Sequence, residues 1–175
     1  MLERDKFFEQ RLEKAEEFRS QGKDPYANDF RVDTKIVDFV KRYAEGDKAA
    51  LSDITQEHAV AGRIMAINGF GKAAFIRIED GTSDLSHPAP HTIEASEADA
   101  EDSGGAEEPM VGRLQIFMQK NALGEENFDD FKKIDIGDII GVVGTPMRTK
   151  VGELTLKAKS FKILTKGLRP LPEKW

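Results

Sequence analysis

Apolar residues near the N-terminus recur at helical spacing. Within residues 3–21 they fall on one stripe of a 3.6-residue period, at Phe8, Leu12, Ala15 and Phe18. A second amphipathic helix is predicted from about Thr34 to Tyr43, with Asp33 or Thr34 as its N-cap. We interpret residues 1–56 as a helical arm that packs on the rest of the chain. The alternative is that the basic residues of the arm contact a phosphate backbone: Lys14, Arg19, Lys41 and Arg42.

From about residue 57 the apolar pattern changes to alternation, which is typical of β-strands. Five such stretches lie between turn signals: His58–Asn68, Lys72–Glu79, Arg113–Gln119, Ile139–Arg148 and Leu154–Leu164. A short helix is predicted over Glu125–Lys133, between the third and fourth strands. Five strands with one helix at this place is the element order of an OB-fold. We therefore predict a mainly β fold with some α: a five-stranded Greek-key barrel at residues 57–166, preceded by the N-terminal helical arm.

Residues 82–111 interrupt this regular pattern. The segment has low hydrophobicity, little periodicity, and only acidic charges, so it is predicted to be a disordered insertion between the second and third strands. The whole chain has a net charge of −6, and the part outside the insertion is weakly basic at +2. His87 and His91 have prolines between them and no third ligand nearby, so we expect a solvated loop and no metal site.

The composition restricts the class of protein. A chain of 175 residues suggests one domain, or one domain with an appendage. Without cysteines it has no disulfides and no thiolate metal site. No apolar stretch approaches the ~20 residues that span a membrane, and charges occupy the place of a signal peptide, so a cytoplasmic location without membrane contact is expected. No nucleophile–base pair, metal cluster or phosphate loop is recognisable, so we expect no catalytic site and no bound cofactor in this chain.

Alternation along the strands assigns side chains to the two faces of the sheet. Ala74, Ile76 and Ile78 are predicted to point into the core. The outward positions, which we expect to share one surface, are Phe75, Arg77, Arg113, Gln115, Phe117 and Glu153. Rings that stack on bases, amides and carboxylates that read base edges, and arginines for phosphates together favour binding of single-stranded nucleic acid. The alternative is that the two phenylalanines pack under the helices or the insertion.

Several short motifs occur in the order and spacing of a known family. They are Gly62-Arg63-Ile64-Met65, Gly71-Lys72-Ala73-Ala74-Phe75, Arg113-Leu114-Gln115, Phe131-Lys132-Lys133, Gly137-Asp138-Ile139-Ile140-Gly141, Thr149-Lys150-Val151-Gly152-Glu153-Leu154 and the ending from Leu164 to Trp175. With these motifs the chain resembles the N-terminal anticodon-binding domain of class II lysyl-tRNA synthetases. The resemblance covers nearly all of the chain except the acidic insertion.

The resemblance implies roles for individual residues. Phe75 would stack on the central anticodon uracil, Gln115 would hydrogen-bond its edge, and Glu153 would read the third anticodon base. The other residues expected at the RNA are Arg63, Asn68, Arg77, Arg113 and Phe117. The family often has an arginine where this chain has Asn68, so a charged contact is replaced here by a shorter, neutral one.

The resemblance also implies a larger enzyme. A class II lysine–tRNA ligase uses ATP and magnesium in a catalytic domain, acts on lysine tRNA and forms a homodimer. Residues 167–175 would then be the linker toward that domain, and we expect the chain to be a fragment. The alternative is a freestanding OB-fold protein that binds single-stranded nucleic acid. A third possibility, an aspartate- or asparagine-specific synthetase, is disfavoured by the helical arm and by the Arg169-Pro-Leu-Pro-Glu-Lys174 ending.

Overall fold

A computed structural model describes residues 3–82 and 112–172. Apart from Thr82, the segment predicted to be a disordered insertion lies outside these residues. Three helices precede the strands: α1 (Glu3–Ser20), α2 (Ile36–Tyr43) and α3 (Lys48–Ser52). The sequence had not predicted α3, whose N-cap Asp47 accepts a hydrogen bond from the Ala50 amide at 2.7 Å.

The N-terminus of α2 differs from the prediction. Its N-cap is Lys35, which makes no capping hydrogen bond with its side chain. The Ile36 amide instead donates to Oδ2 of Asp80, at the end of a strand, at 2.9 Å. Asp33, a predicted cap, accepts a hydrogen bond from the Ala59 amide at 3.0 Å. The expectation that Asp33 or Thr34 caps α2 is therefore wrong, because a residue distant in sequence satisfies the free amide.

The five predicted strands, and a helix between the third and fourth, are confirmed. They are β1 (His58–Phe70), β2 (Ala73–Glu79), β3 (Arg113–Gln119), β4 (Ile139–Arg148) and β5 (Leu154–Thr165). The sheet is closed in the order β1-β2-β3-β5-β4, with β3 parallel to β5 and the other pairs antiparallel. Between β3 and β4 lie α4 (Lys120–Leu123) and α5 (Glu125–Phe131).

An irregularity in β1 changes which of its side chains face outward. Ile64 pairs with Ile78, but the next pair is Ala66 with Arg77, so the register shifts by one residue between them. Since directly opposed residues point to the same face, the pairing of Asn68 with Phe75 places both on the outer face. Strict alternation from the buried Ile64 would have turned Asn68 inward.

The core fills the barrel and continues under the helices. Inward residues of all five strands are buried, among them Ile76, Ile116 and Ile140, and they form one cluster with Phe18 of α1 and Phe39 of α2. Gly144 allows close packing of strands, because a Cβ there would lie 2.2 Å from the Lys157 carbonyl oxygen. Among the described residues, no helix is long and apolar enough to cross a membrane.

Candidate nucleic-acid interface

Two phenylalanine rings lie side by side on the outer face of β2 and β3. Phe75 and Phe117 are directly opposed in the register, and their ring centroids are 4.9 Å apart with planes tilted by 36°. Both are half-buried, while their neighbours Ile76 and Ile116 are fully buried. The rings therefore stand outside the core, where the sequence pattern had placed them.

A third ring, which the sequence analysis did not select, continues this surface. Phe70 is 54% exposed, and its ring centroid lies 5.7 Å from that of Phe75. The predicted first strand ended at Asn68 because the following Gly-Phe-Gly resembles a turn, whereas β1 continues to Phe70. The sequence feature that could have indicated this ring is an aromatic residue between two glycines, Gly69 and Gly71.

A chain of hydrogen bonds fixes the orientation of Gln115. Its Nε2 donates to Oγ1 of Thr155 at 3.0 Å, and this hydroxyl donates to the backbone oxygen of Glu153 at 3.2 Å. Because the hydroxyl hydrogen is used on Glu153, Thr155 must accept from Gln115, so the amide nitrogen of Gln115 faces Thr155. The carbonyl oxygen of Gln115 is then the group that can accept a hydrogen bond from a base. Thr155, which the sequence analysis did not select, is fully buried.

Glu153 follows the tight turn between β4 and β5. The Gly152 amide donates to the Thr149 carbonyl at 3.2 Å, and Gly152 has a φ of 89°, which favours glycine. Arg148 donates to the Gly152 carbonyl at 2.7 Å and to the Tyr43 carbonyl of α2 at 3.4 Å, so the arm and the turn share a contact. The Glu153 side chain is 40% exposed, and its carboxylate forms a 3.5 Å ion pair with Arg77.

The predicted cationic residues do not all lie at the rings. Arg77 pairs in register with Gln115, next to Phe75 and Phe117. Arg113 lies further along the face, where its Nε donates to the Glu79 carboxylate at 3.1 Å. Arg63 is exposed and is the register partner of the same Glu79, so it lies near Arg113 and away from the two rings. Asn68 is exposed beside Phe75, and Lys157, which had not been selected, extends the row beyond Phe117.

The side chains around the two rings determine what this surface can bind. Within residues 3–82 and 112–172, no three His, Asp or Glu side chains are grouped so that they could hold a metal ion. The side chains that lie on the outer face at the rings are aromatic, amide, carboxylate and guanidinium. This set matches bases and phosphates of a single strand, which needs stacking surfaces and edge-reading groups.

Comparisons with known proteins agree with this chemistry. Residues 109–164 match a tRNA anti-codon family described as an OB-fold nucleic acid binding domain. The chain is 36% identical over 166 residues to the lysine–tRNA ligase of Anaeromyxobacter sp. strain K, covering 95% of this chain. It is 33% identical over 165 residues to that of Oceanobacillus iheyensis, and 34% identical over 165 residues to that of Bacillus cereus strain B4264, covering 94% of this chain in both cases.

The alignments also define how much of those relatives the chain represents. It spans 27% of the length of the Anaeromyxobacter and Bacillus cereus proteins and 28% of the Oceanobacillus protein. The part that it matches is their N-terminal part. By sequence, the chain is thus similar to the N-terminal part of lysine–tRNA ligases, and its residues 109–164 match the tRNA anti-codon family of OB-fold nucleic acid binding domains.

Proposed function

We propose that this chain recognises the anticodon loop of lysine tRNA through the outer face of β2, β3 and the β4–β5 turn. The observation that carries the proposal is the pair of half-buried rings, Phe75 and Phe117, next to the fixed amide of Gln115 and the carboxylate of Glu153. Base-sized surfaces beside groups that read base edges are what recognition of an unpaired loop requires. In this proposal Phe75 stacks on the central uracil.

Gln115 and Glu153 give the surface its choice of base. Uracil carries a hydrogen on N3, whereas cytosine has a lone pair at that position. The carbonyl oxygen of Gln115 accepts from uracil and repels cytosine. Glu153 accepts a hydrogen bond from the third anticodon base. Asn68 is the register partner of Phe75 on β1 and contributes a further polar contact. Arg77, Arg113 and Arg63 contribute favourable charge toward phosphates along the face.

A second part of the proposal concerns the larger protein. We propose that the chain serves a cytoplasmic lysine–tRNA ligase, which joins lysine to its tRNA with ATP and magnesium in a catalytic domain and acts as a homodimer. Its own part is a Greek-key barrel at residues 57–166 with the helical arm 1–56, and residues 167–175 lead toward the catalytic domain. In this proposal the chain binds the anticodon without a covalent step, because the side chains on the outer face of β2 and β3 stack on bases and form hydrogen bonds.

The test is a set of single substitutions measured by RNA binding. We expect Phe75→Ala to weaken binding of a lysine anticodon stem-loop by ~1–3 kcal/mol, the usual contribution of one base–aromatic stack. Gln115→Ala and Glu153→Ala are expected to reduce discrimination against loops with altered second or third anticodon bases. Titration of the purified chain with fluorescent stem-loops measures both effects.

The matched control is the neighbouring residue on the opposite face. Ile76 is fully buried, so Ile76→Ala is expected to cost ~2–5 kcal/mol of unfolding free energy through the cavity it leaves. Phe75→Ala is expected to leave the fold intact. A folded Phe75→Ala variant that binds the stem-loop as tightly as the wild type would refute the proposed site.

A further inference from the structure

Phe70 occupies a position that packing does not explain. It is the last residue of β1, and its register partner on β2 is Ala73, whose side chain is a single methyl group. No atom lies within 4 Å of a Cβ built on either flanking glycine, Gly69 or Gly71. An aromatic side chain that is 54% exposed at such a tip contributes little to the core.

The ring is nevertheless held beside the binding surface. The β1 irregularity turns Phe70 to the same outer face as Asn68 and Phe75, since all lie at outward positions of the shifted register. Its ring is tilted by 44° relative to Phe75, and Phe75 is tilted by 36° relative to Phe117. Three neighbouring rings therefore form one continuous aromatic surface across β1, β2 and β3.

The register orders the groups along this surface. Phe70 lies level with Ala73 of β2; two residues further along β2 come Phe75 and its partner Phe117, and two further come Arg77 and its partner Gln115. Glu153 contacts Arg77, so it lies at the far end of this sequence. Phe70 and Glu153 are thus on opposite sides of Phe75.

We propose that Phe70 is an additional nucleotide-binding residue that stacks on the first base of the anticodon. This rests on the proposed function, in which Phe75 holds the central base and Glu153 the third. The base on the other side of the central one then lies over Phe70. Lysine anticodons begin with either of two pyrimidines, and stacking suits such a position because a ring accepts any base.

The experiment uses the 175-residue chain and synthetic lysine anticodon stem-loops. With the intact loop, Phe70→Ala is expected to bind about five- to tenfold more weakly than the wild type, at the lower end of the range for one base–aromatic stack. Phe70→Trp is expected to retain binding, whereas Phe70→Leu, which keeps an apolar side chain without a ring, is expected to lose it. Phe7→Ala on α1, a similarly exposed phenylalanine at 46%, is the control and is expected to bind normally.

Stem-loops with one abasic site identify the base that the ring contacts. With an abasic first position, the wild type and Phe70→Ala are expected to bind equally, because the stack is already absent. With an abasic second or third position, the difference between them is expected to persist. The inference is overturned if Phe70→Ala binds the intact loop normally, or if its effect disappears at another position instead.

The outcome is separable from that of the proposed function. If Phe75→Ala loses affinity and Phe70→Ala does not, the anticodon surface stands and the role of Phe70 is wrong. If neither substitution changes affinity, the proposed surface itself is wrong.

Discussion

At the scale of single residues, the buried hydroxyl of Thr155 determines the orientation of the half-buried Gln115 amide in the proposed site. A glutamine amide on a free surface rotates, and it then offers its donor and its acceptor equally. Thr155 removes this freedom, because its own hydrogen is committed to the Glu153 carbonyl and its lone pair accepts only the nitrogen of Gln115. Recognition of uracil in the proposed site therefore depends on a residue that is out of reach of the base.

Replacing Thr155 by valine tests this dependence. The shape is nearly preserved but the hydrogen bond is lost, so Gln115 can turn its nitrogen outward. We expect Thr155→Val to bind the normal stem-loop several-fold more weakly and a loop with a central cytosine more tightly, which reduces the ratio between them. Competition binding with the two loops measures this ratio.

Thr165→Val, at the exposed end of the same strand, is the control and is expected to leave the ratio unchanged. An unchanged ratio in Thr155→Val would show that the orientation of Gln115 does not set the choice of base.

At the scale of elements, His58 attaches α2 to the start of β1. The side chain is 1% exposed; its Nε2 lies 2.6 Å from the Tyr43 hydroxyl and its Nδ1 lies 3.0 Å from the Thr34 hydroxyl. Phe39 and Tyr43 pack edge-on against its ring. Burial, and secondarily the charge of Arg42, lowers the pKa of His58 below its ordinary value, although Asp33 acts in the opposite direction.

This pKa shift predicts a loss of stability in mild acid. The unfolded chain binds a proton on His58 as the pH falls through about 6.5, whereas the folded chain does so only at lower pH. The free energy of unfolding contributed by neutral His58 is therefore fully present above that pH and declines below it. Urea denaturation of the wild type and of His58→Gln, between pH 7.5 and about pH 5, measures the difference.

His58→Gln keeps a hydrogen-bonding side chain without a group that titrates. We expect its stability to depend less steeply on pH than that of the wild type over this range. Equal slopes for the two proteins would contradict the prediction. Asp33 also has a lowered pKa, because Thr34 and the Ala59 amide donate hydrogen bonds to it, but its protonation destabilises the fold only at more acidic pH.

At the scale of the whole molecule, ion pairs around one buried lysine connect α1 and the segment after β5 to the residues that precede β4. Lys166, directly after β5, has a fully buried side chain and pairs with Asp138 at 2.7 Å and Asp135 at 2.6 Å. Burial alone would raise the pKa of Asp135, but hydrogen bonds from Lys14 of α1 and from Lys166 hold it below its ordinary value. The Gly167 amide donates to the same Asp138 at 2.8 Å. These contacts hold Lys166 and Gly167, the first residues after β5, against the residues that precede β4.

Removal of this lysine is expected to be costly. In Lys166→Met the carboxylate of Asp138 remains fully buried without its cation, so we expect a loss of ~3–5 kcal/mol of unfolding free energy. Lys162→Met, on the preceding strand β5, is the matched control, because its ion pair with Asp29 is exposed and contributes ~0–1 kcal/mol. Urea denaturation measures both values, and similar losses in the two variants would contradict the prediction.

The amino-acid sequence by itself determined the five strands, the helices α1 and α2, and the inward and outward faces of β2 and β3. Both strands are regular, so a period of two places Phe75 and Gln115 correctly from the pattern of buried neighbours alone. The sequence also carried the resemblance to lysine–tRNA ligases, and the alignment with the Anaeromyxobacter sp. strain K protein extends over 95% of the chain.

Only the tertiary structure decided the remaining features. The register shift in β1 places Asn68 and Phe70 on the outer face, and it depends on pairing with β2 that a local pattern does not contain. Asp80 caps α2, and Thr155 orients Gln115, across 44 and 40 residues of sequence. Local periodicity reports which side of an element is apolar, whereas hydrogen bonds between distant segments depend on how the elements pack.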